Sequence, residues 1–251
     1  MNKFCAAAAL SLLCGVPICR GTIPEDFVRQ EYELSPTASI TIRNAAGRIL
    51  VYGANEPRLK IVAMRRAFTQ ERLEGIKVAV SIKDDAVVID TIYPPASKGL
   101  LPDRSGTVDY EILVPQTCTL EQVELGKGEV LIQGMRGEHI AARLGSGLLH
   151  VRNCFASGDL QVDEGRLDIF YAWWERRPFS LSAKVAAGDL VLRVPAGAAL
   201  HFDGASERGK IRSAFGKLGD VRELRDDFGG ESEATFRLRI EDGNIRLERS
   251  Y

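Results

Sequence analysis

The chain has 251 residues, and 45% of them are hydrophobic, which is enough apolar material for a sizeable core. Its 33 basic and 34 acidic residues leave a net charge of -1, and the basic residues are spread along the chain. This balance argues against nucleic acid as a partner and against attraction to an anionic membrane surface.

Residues 1–20 have the pattern of a secretory signal peptide, with Lys3 before an apolar run at residues 4–13. The run is too short to span the roughly 30 Å hydrocarbon core of a bilayer, so it does not predict a transmembrane helix. An alternative is a lipoprotein signal in which Cys14 or Cys19 carries the lipid. The sequence therefore predicts an exported protein, periplasmic, on the outer surface or extracellular, whose mature chain has no transmembrane segment.

Residues 26–115 are predicted to form a β-rich portion that contains one short helix. Apolar and polar residues alternate in its strands, and Thr69 is a suitable N-cap for the helix. The predicted elements are strands at 38–53, 58–68 and 108–115, a helix at 69–76, a hairpin at 76–94 that turns at Asp84 and Asp85, and a loop at 94–106.

Residues 118–250 contain a repeat of roughly twenty residues, each copy marked by a glycine. Aliphatic residues stand three and five positions before most of these glycines, and two and four positions after them, with mostly polar residues between. This alternation predicts a strand, a turn at the glycine and a second strand. The marker glycines are Gly128, Gly147, Gly165, Gly188, Gly209 and Gly243.

A unit of about twenty residues cannot bury its one apolar face alone, but stacked copies can. The sequence therefore predicts an all-β fold, a β-solenoid that with the N-terminal portion forms one domain over residues 21–251. An antiparallel sandwich of hairpins is the competing prediction. The solenoid is favoured because hairpins do not need the same columns to recur at constant spacing.

Two cysteines, Cys118 and Cys154, lie outside the signal segment, in nearly the same column and two repeats apart. Adjacent strands are about 4.8 Å apart, so two steps separate them by nearly 10 Å. A disulfide needs Cα atoms within about 7 Å. We therefore expect two free, buried thiols.

The segment VDYEILVPQTCTLEQVELGKGEVLIQGMRGEHIAARLGSGLLHVRN, residues 108–153, resembles the bacterial putative-adhesin family. The resemblance extends over residues 38–250 and implies an exported envelope protein with a β-solenoid domain. Its motifs are structural glycines and aliphatic residues, so it supplies no catalytic residue. Some relatives belong to cell-envelope stress systems, which implies an alternative role as a scaffold.

Acids, histidines and serines supply the candidates for a catalytic or metal-binding site. The nearest metal candidate is Asp163, Glu164 and Asp168, an acidic turn that is also typical of a solvated surface. Ser146 lies in a Gly-Ser-Gly turn between two strands, not in the strand-to-helix turn of a nucleophile elbow. No cofactor or metal is predicted. His139, His150 and His201 lie in different repeats without metal-ligand spacing and are expected at the surface.

The segment IFYAWWERRPF, residues 169–179, holds both tryptophans of the chain. Continuing the alternation of the preceding strand points Tyr171 and Trp173 inward and Phe170 and Trp174 outward. The predicted ligand-binding residues are Phe170, Trp174, Arg176 and Arg177. Alternatively, the segment folds back and covers its own aromatic rings.

The charged insertion at residues 213–234 interrupts the repeats and is either a surface loop or hairpin or a second place for function. Together these features predict an exported, non-enzymatic cell-envelope protein, an adhesin-like binding or structural module whose partner is an unknown glycan or protein. The alternative is an envelope-stress scaffold that binds another envelope protein. A carbohydrate-active enzyme is less favoured, because no column supplies clustered carboxylates.

Overall fold

A computed structural model describes residues 23–96, 98–100, 102–215, 220–230 and 233–250. The predicted signal peptide and the alternative lipidation sites, Cys14 and Cys19, lie outside these residues. Within the described ranges the chain is all-β apart from one short helix. That helix cannot cross a bilayer, and no other described segment is a membrane-spanning helix.

The N-terminal portion contains the predicted strands, hairpin and helix, together with a first strand that no sequence pattern had indicated. The Thr69 hydroxyl accepts a hydrogen bond of 3.2 Å from the Arg72 backbone N–H, which confirms Thr69 as the N-cap. The hairpin turns at Asp84, whose φ is 54°. The elements are β1 Glu25–Glu33, β2 Ser39–Ala54, β3 Arg58–Arg66, α1 Gln70–Gly75, β4 Lys77–Lys83, β5 Ala86–Ile92 and β6 Thr107–Pro115.

Five long strands, each centred on a glycine, form a parallel stack in which like positions are paired. Gly128 lies opposite Gly147, Gly147 opposite Gly165, Gly165 opposite Gly188 and Gly188 opposite Gly243. The aliphatic columns predicted on either side of these glycines are all buried. The strands are β7 Thr119–Gln133, β8 His139–Arg152, β9 Ser157–Phe170, β10 Phe179–Pro195 and β14 Ala234–Ser250.

The prediction of a turn at each glycine is wrong, because every one of these strands runs through its glycine without interruption. The glycines take φ values between 130° and 140°, which a side chain would disfavour. A Cβ on Gly165 would lie 2.0 Å from the Gly147 carbonyl oxygen. Glycine therefore lets the strand take a positive φ at this position while the adjacent strand stays at ladder distance.

The remaining strands continue both halves of the stack. The first halves of the long strands, before the glycine, pair in the order β4-β5-β2-β7-β8-β9-β10-β14-β11-β13. The second halves, after the glycine, pair in the order β1-β3-β6-β2-β7-β8-β9-β10-β14-β12. The inward residues of both halves join one hydrophobic core. The three further strands are β11 Leu200–Arg208, β12 Ile211–Ser213 and β13 Glu223–Phe228.

The last strands do not pair in chain order. Strand β14 lies between β10 and β11, so the glycine of the last copy, Gly243, is next to both Gly188 and Gly209. The segment 213–234 provides the chain length for this return. Its strand β13 pairs antiparallel with β11, while residues 216–219 and 231–232 lie outside the described part.

Cys118 and Cys154 are free and buried, as predicted. Burial raises the pKa of each thiol to about 12, because the thiolate would lose its hydration in the core. Both side chains therefore act as small apolar groups at neutral pH.

Candidate functional site

The aromatic loop, residues 171–178, joins the end of β9 to the start of β10. Tyr171 is fully buried, as predicted, and its hydroxyl donates a 2.8 Å hydrogen bond to the Cys154 carbonyl oxygen. The prediction for the two tryptophans is wrong: Trp174 packs against the core and Trp173 is 46% exposed. Strand pairing stops at Phe170, so alternation no longer sets side-chain direction beyond it.

Trp174 completes a cluster of aromatic rings beneath the loop. The ring centroids lie within the 4.5–7 Å range of favourable aromatic pairs, in tilted and edge-to-face arrangements. This packing accounts for the partial burial of Trp174. The distances from its indole are 5.4 Å to Tyr171, 6.1 Å to Phe179, and 6.3 Å to both Phe155 and Phe236.

Trp173 lies at the surface but is held in place. Its Nε1 donates a 2.9 Å hydrogen bond to Glu175 Oε1, and its ring centroid is 6.1 Å from that of Phe155. Arg136 Nη2 donates to the same Glu175 oxygen at 2.6 Å, and the Arg136 guanidinium lies 5.7 Å from the Phe155 ring centroid. These contacts link two loops that are about forty residues apart in sequence.

Glu175 is ionised at neutral pH. Partial burial alone would raise the pKa of its carboxyl group, but hydrogen bonds from Trp173 and Arg136 outweigh that effect and hold the pKa below its usual range. The carboxylate is therefore a fixed acceptor between Trp173 and Arg136.

A groove of about 530 Å³ opens beside the aromatic loop, and it brings together three of the four predicted ligand-binding residues, Trp174, Arg176 and Arg177. Within the described part of the chain, neither guanidinium forms an ion pair with a carboxylate. Arg177 Nη2 instead donates a long 3.5 Å hydrogen bond to the Arg136 carbonyl oxygen. The groove is lined by Trp174, Glu175, Arg176, Arg177, Ala199, Glu233 and Ala234.

The fourth predicted residue, Phe170, lies elsewhere. It is part of a second groove of about 280 Å³ on the outer face of the second strand halves, where the Arg152 guanidinium is 5.3 Å from its ring centroid. The predicted four-residue site is therefore divided between two places. The second groove is lined by Glu129, Leu131, His150, Arg152, Asp168, Phe170 and Arg193.

The three acids considered as a metal site do not converge. Asp168 is buried, its side chain only 8% exposed, and both of its oxygens accept hydrogen bonds from Arg193 at 2.7 and 2.9 Å. Arg166 also donates to Asp168 at 2.8 Å, whereas Asp163 pairs with Arg143 at 3.3 Å. Asp168 is thus not a solvated surface acid. The described residues contain no group of three or more His, Cys, Asp or Glu that could hold a metal ion.

The three histidines are partly exposed. His139 and His150 lie near opposite ends of β8, and His201 lies on β11. His201 Nδ1 is 2.5 Å from Asp227 Oδ1, and His139 Nε2 is 3.9 Å from Asp159 Oδ2. His150 faces the second groove. They do not form a common site.

Sequence reasoning missed Arg136, Phe155 and Glu175, the residues that hold Trp173. Phe155 and Arg136 lie in the loops that follow β8 and β7, and the Phe155 N–H donates to the Met135 carbonyl oxygen at 2.9 Å. The parallel stack predicted from the sequence could have indicated these residues. Loops that follow adjacent strands of such a stack lie side by side.

Comparison with known proteins shows the fold. No family model and no curated protein matches the chain. The structure of a putative cell adhesion protein from Clostridium sporogenes matches with a TM-score of 0.52 and 12% identity, covering 91% of this chain and 100% of that one. A putative adhesin from Bacteroides fragilis matches with a TM-score of 0.42 and 14% identity over 88% of this chain and 97% of that one. The chain therefore shares the overall fold of the Clostridium protein.

Proposed function

We propose that this protein is an exported, non-enzymatic, adhesin-like binding module of the cell envelope, and that its ligand binds in the groove beside the aromatic loop. The observation that carries the proposal is the meeting of Trp174, Arg176 and Arg177 in one groove. The groove volume of about 530 Å³ lies within the usual range for ligand sites.

Export is supported by the signal-peptide pattern of residues 1–20. The binding role is supported by the resemblance to the adhesin family and by the name of the Clostridium sporogenes protein that shares the fold. We further propose that the in-register stack is a β-solenoid built from the sequence repeats. A stack of this kind provides a rigid base for loops that carry function.

The chemistry of the groove suits binding. Guanidinium groups present several N–H donors in one plane and form paired hydrogen bonds with carboxylates or neighbouring hydroxyls. Within the described part of the chain neither Arg176 nor Arg177 forms a close ion pair, and one Arg177 nitrogen donates to the Arg136 carbonyl oxygen. The other N–H groups of the two guanidinium groups are the donors proposed to meet a ligand.

Catalysis is not part of the proposal. A general acid at neutral pH needs a carboxyl group with a raised pKa, and the pKa of Glu175 is lowered. Its carboxylate is also committed to Trp173 and Arg136.

A protein partner is the alternative, as for an envelope-stress scaffold. Tryptophan and arginine are the residue types that most often dominate the binding energy of protein interfaces, and the groove holds both. Binding to a protein fraction of the envelope, and not to a polysaccharide fraction, would separate this alternative from a glycan-binding module.

The test is a double charge reversal, Arg176→Glu with Arg177→Glu, measured by biolayer interferometry against polysaccharide and protein fractions of a bacterial envelope. Losing charged hydrogen bonds should weaken binding by about 10-fold or more. The matched control reverses two exposed residues that do not line the groove, Arg104→Glu with Lys127→Glu, and should bind as the wild type does. Equal binding by both double variants would exclude the groove as the site.

A further inference from the structure

We propose that Trp173 is the stacking platform for the ligand, and that this ligand is a saccharide. This inference rests on the proposed function, because it names the ligand class for the same loop. It replaces Trp174, the sequence-based candidate, with the tryptophan that the structure exposes.

Trp173 is a rigid platform. Trp173 is 46% exposed, yet its Nε1 has a defined partner in Glu175 and its ring a defined neighbour in Phe155. Glu175 is itself fixed by Arg136, and Arg136 lies over Phe155. The indole is thus ordered before a ligand arrives, which reduces the entropy lost on binding.

The platform is connected to the groove through two residues. Glu175 contacts Trp173 and also lines the groove. Arg177 lines the groove and donates to the backbone of Arg136, which holds Glu175. A ligand with several linked units could therefore stack on Trp173 and reach the guanidinium groups of the groove.

The surroundings of Trp173 favour a saccharide over a protein. No other large apolar side chain among residues 102–215 is exposed. The neighbours of Trp173 are the buried Phe155 and the charged Glu175, which Arg136 holds. A protein interface has a contiguous core that is depleted of charged residues. A sugar ring instead has one C–H face that covers an aromatic ring, and hydroxyls at its rim that pair with carboxylates and guanidinium groups.

The experiment compares the wild-type chain with Trp173→Ala and Trp173→Phe. The probes are dextran, polygalacturonic acid and chitin oligomers, titrated by calorimetry with tryptophan fluorescence in parallel. We expect saturable binding of at least one probe and a loss on the order of 10-fold or more for Trp173→Ala. Trp173→Phe keeps an aromatic face but loses the hydrogen bond to Glu175, so its loss should be clearly smaller than that of Trp173→Ala and similar to that of Glu175→Ala. Thermal unfolding checks that both variants are folded.

A second variant tests the positioning role of Glu175. Glu175→Ala should increase quenching of tryptophan fluorescence by acrylamide without any ligand and should also weaken saccharide binding, whereas Glu175→Gln keeps an acceptor for Trp173 Nε1 and should change quenching less. An unchanged quenching profile in Glu175→Ala would show that this carboxylate does not hold the indole.

The outcomes separate the inference from the function on which it rests. If Trp173→Ala binds saccharide as the wild type does, while the Arg176 and Arg177 charge reversal abolishes binding, the groove is the site and the platform is refuted. If none of the probes binds but an envelope protein binds in an arginine-dependent way, the proposed groove stands and the saccharide assignment is wrong.

Discussion

The column of stacked glycines predicts that Gly165→Ala is severely destabilising although it adds a single methyl group. The new Cβ would lie 2.0 Å from the carbonyl oxygen and 2.9 Å from the carbonyl carbon of Gly147 on the adjacent strand. A backbone carbonyl cannot rotate away as a side chain could. Relief therefore requires the two strands to move apart in the middle of the ladder.

Two costs contribute to the expected loss. A non-glycine residue at a φ of 130° costs on the order of 1–3 kcal/mol. Separating the strands weakens ladder hydrogen bonds at about 1 kcal/mol each. We expect a loss of roughly 3–5 kcal/mol in the free energy of unfolding, which for a chain of this size lowers Tm by roughly 6–20 °C.

Thermal and urea unfolding followed by circular dichroism measure the effect against two controls. Gly230→Ala shares the positive φ, at 93°, but has nothing within 4 Å of its Cβ, so it isolates the conformational cost. Gly197→Ala has open space and no positive φ, and should be nearly neutral. If Gly165→Ala loses no more stability than Gly230→Ala, the close contact between neighbouring glycines is not present and the reasoning fails.

Three further predictions concern the aromatic loop and the thiols. The folded-state pKa of Glu175 is lowered, so its carboxylate stabilises the fold above the unfolded-state pKa of about 4.3. Acidification through the lower folded-state pKa should release Trp173 and increase the quenching of tryptophan fluorescence by acrylamide. Glu175→Gln should lack this transition. With pKa values of about 12, Cys118 and Cys154 should resist a thiol reagent at pH 8 in the native state and react fully in guanidinium chloride; fast native labelling would contradict their burial. Trp174→Ala should lower the free energy of unfolding by about 3 kcal/mol in chemical denaturation, and Trp173→Ala by less than about 1 kcal/mol; equal losses would contradict the different packing of the two rings.

The sequence predicts the buried columns well because every strand of the stack has neighbours of the same kind. Leu149 and Leu167 occupy equivalent positions and are paired in register, so one periodic pattern serves all the strands. The sequence does not predict the place of β14 in the sheet. Strands β14 and β11 carry similar patterns, and either could pair with β10. Only the tertiary pairing decides between them.

The candidate site is predicted less well, for a local physical reason. Alternation applies only while a strand is paired, and pairing of β9 ends at Phe170. Beyond that point the direction of Trp173 and Trp174 depends on which aromatic rings lie beneath the loop. The contact between Arg136 and Glu175 likewise depends on the conformations of two loops, which no periodic pattern encodes.

Hydrogen–deuterium exchange of the full chain, with and without an envelope polysaccharide fraction, tests the proposed site most directly. Binding at the aromatic loop predicts slower exchange in residues 171–178 and in the other groove strands near Ala199 and Ala234. Protection confined to the outer face around Arg152 and Phe170, or no protection at any position, would contradict it.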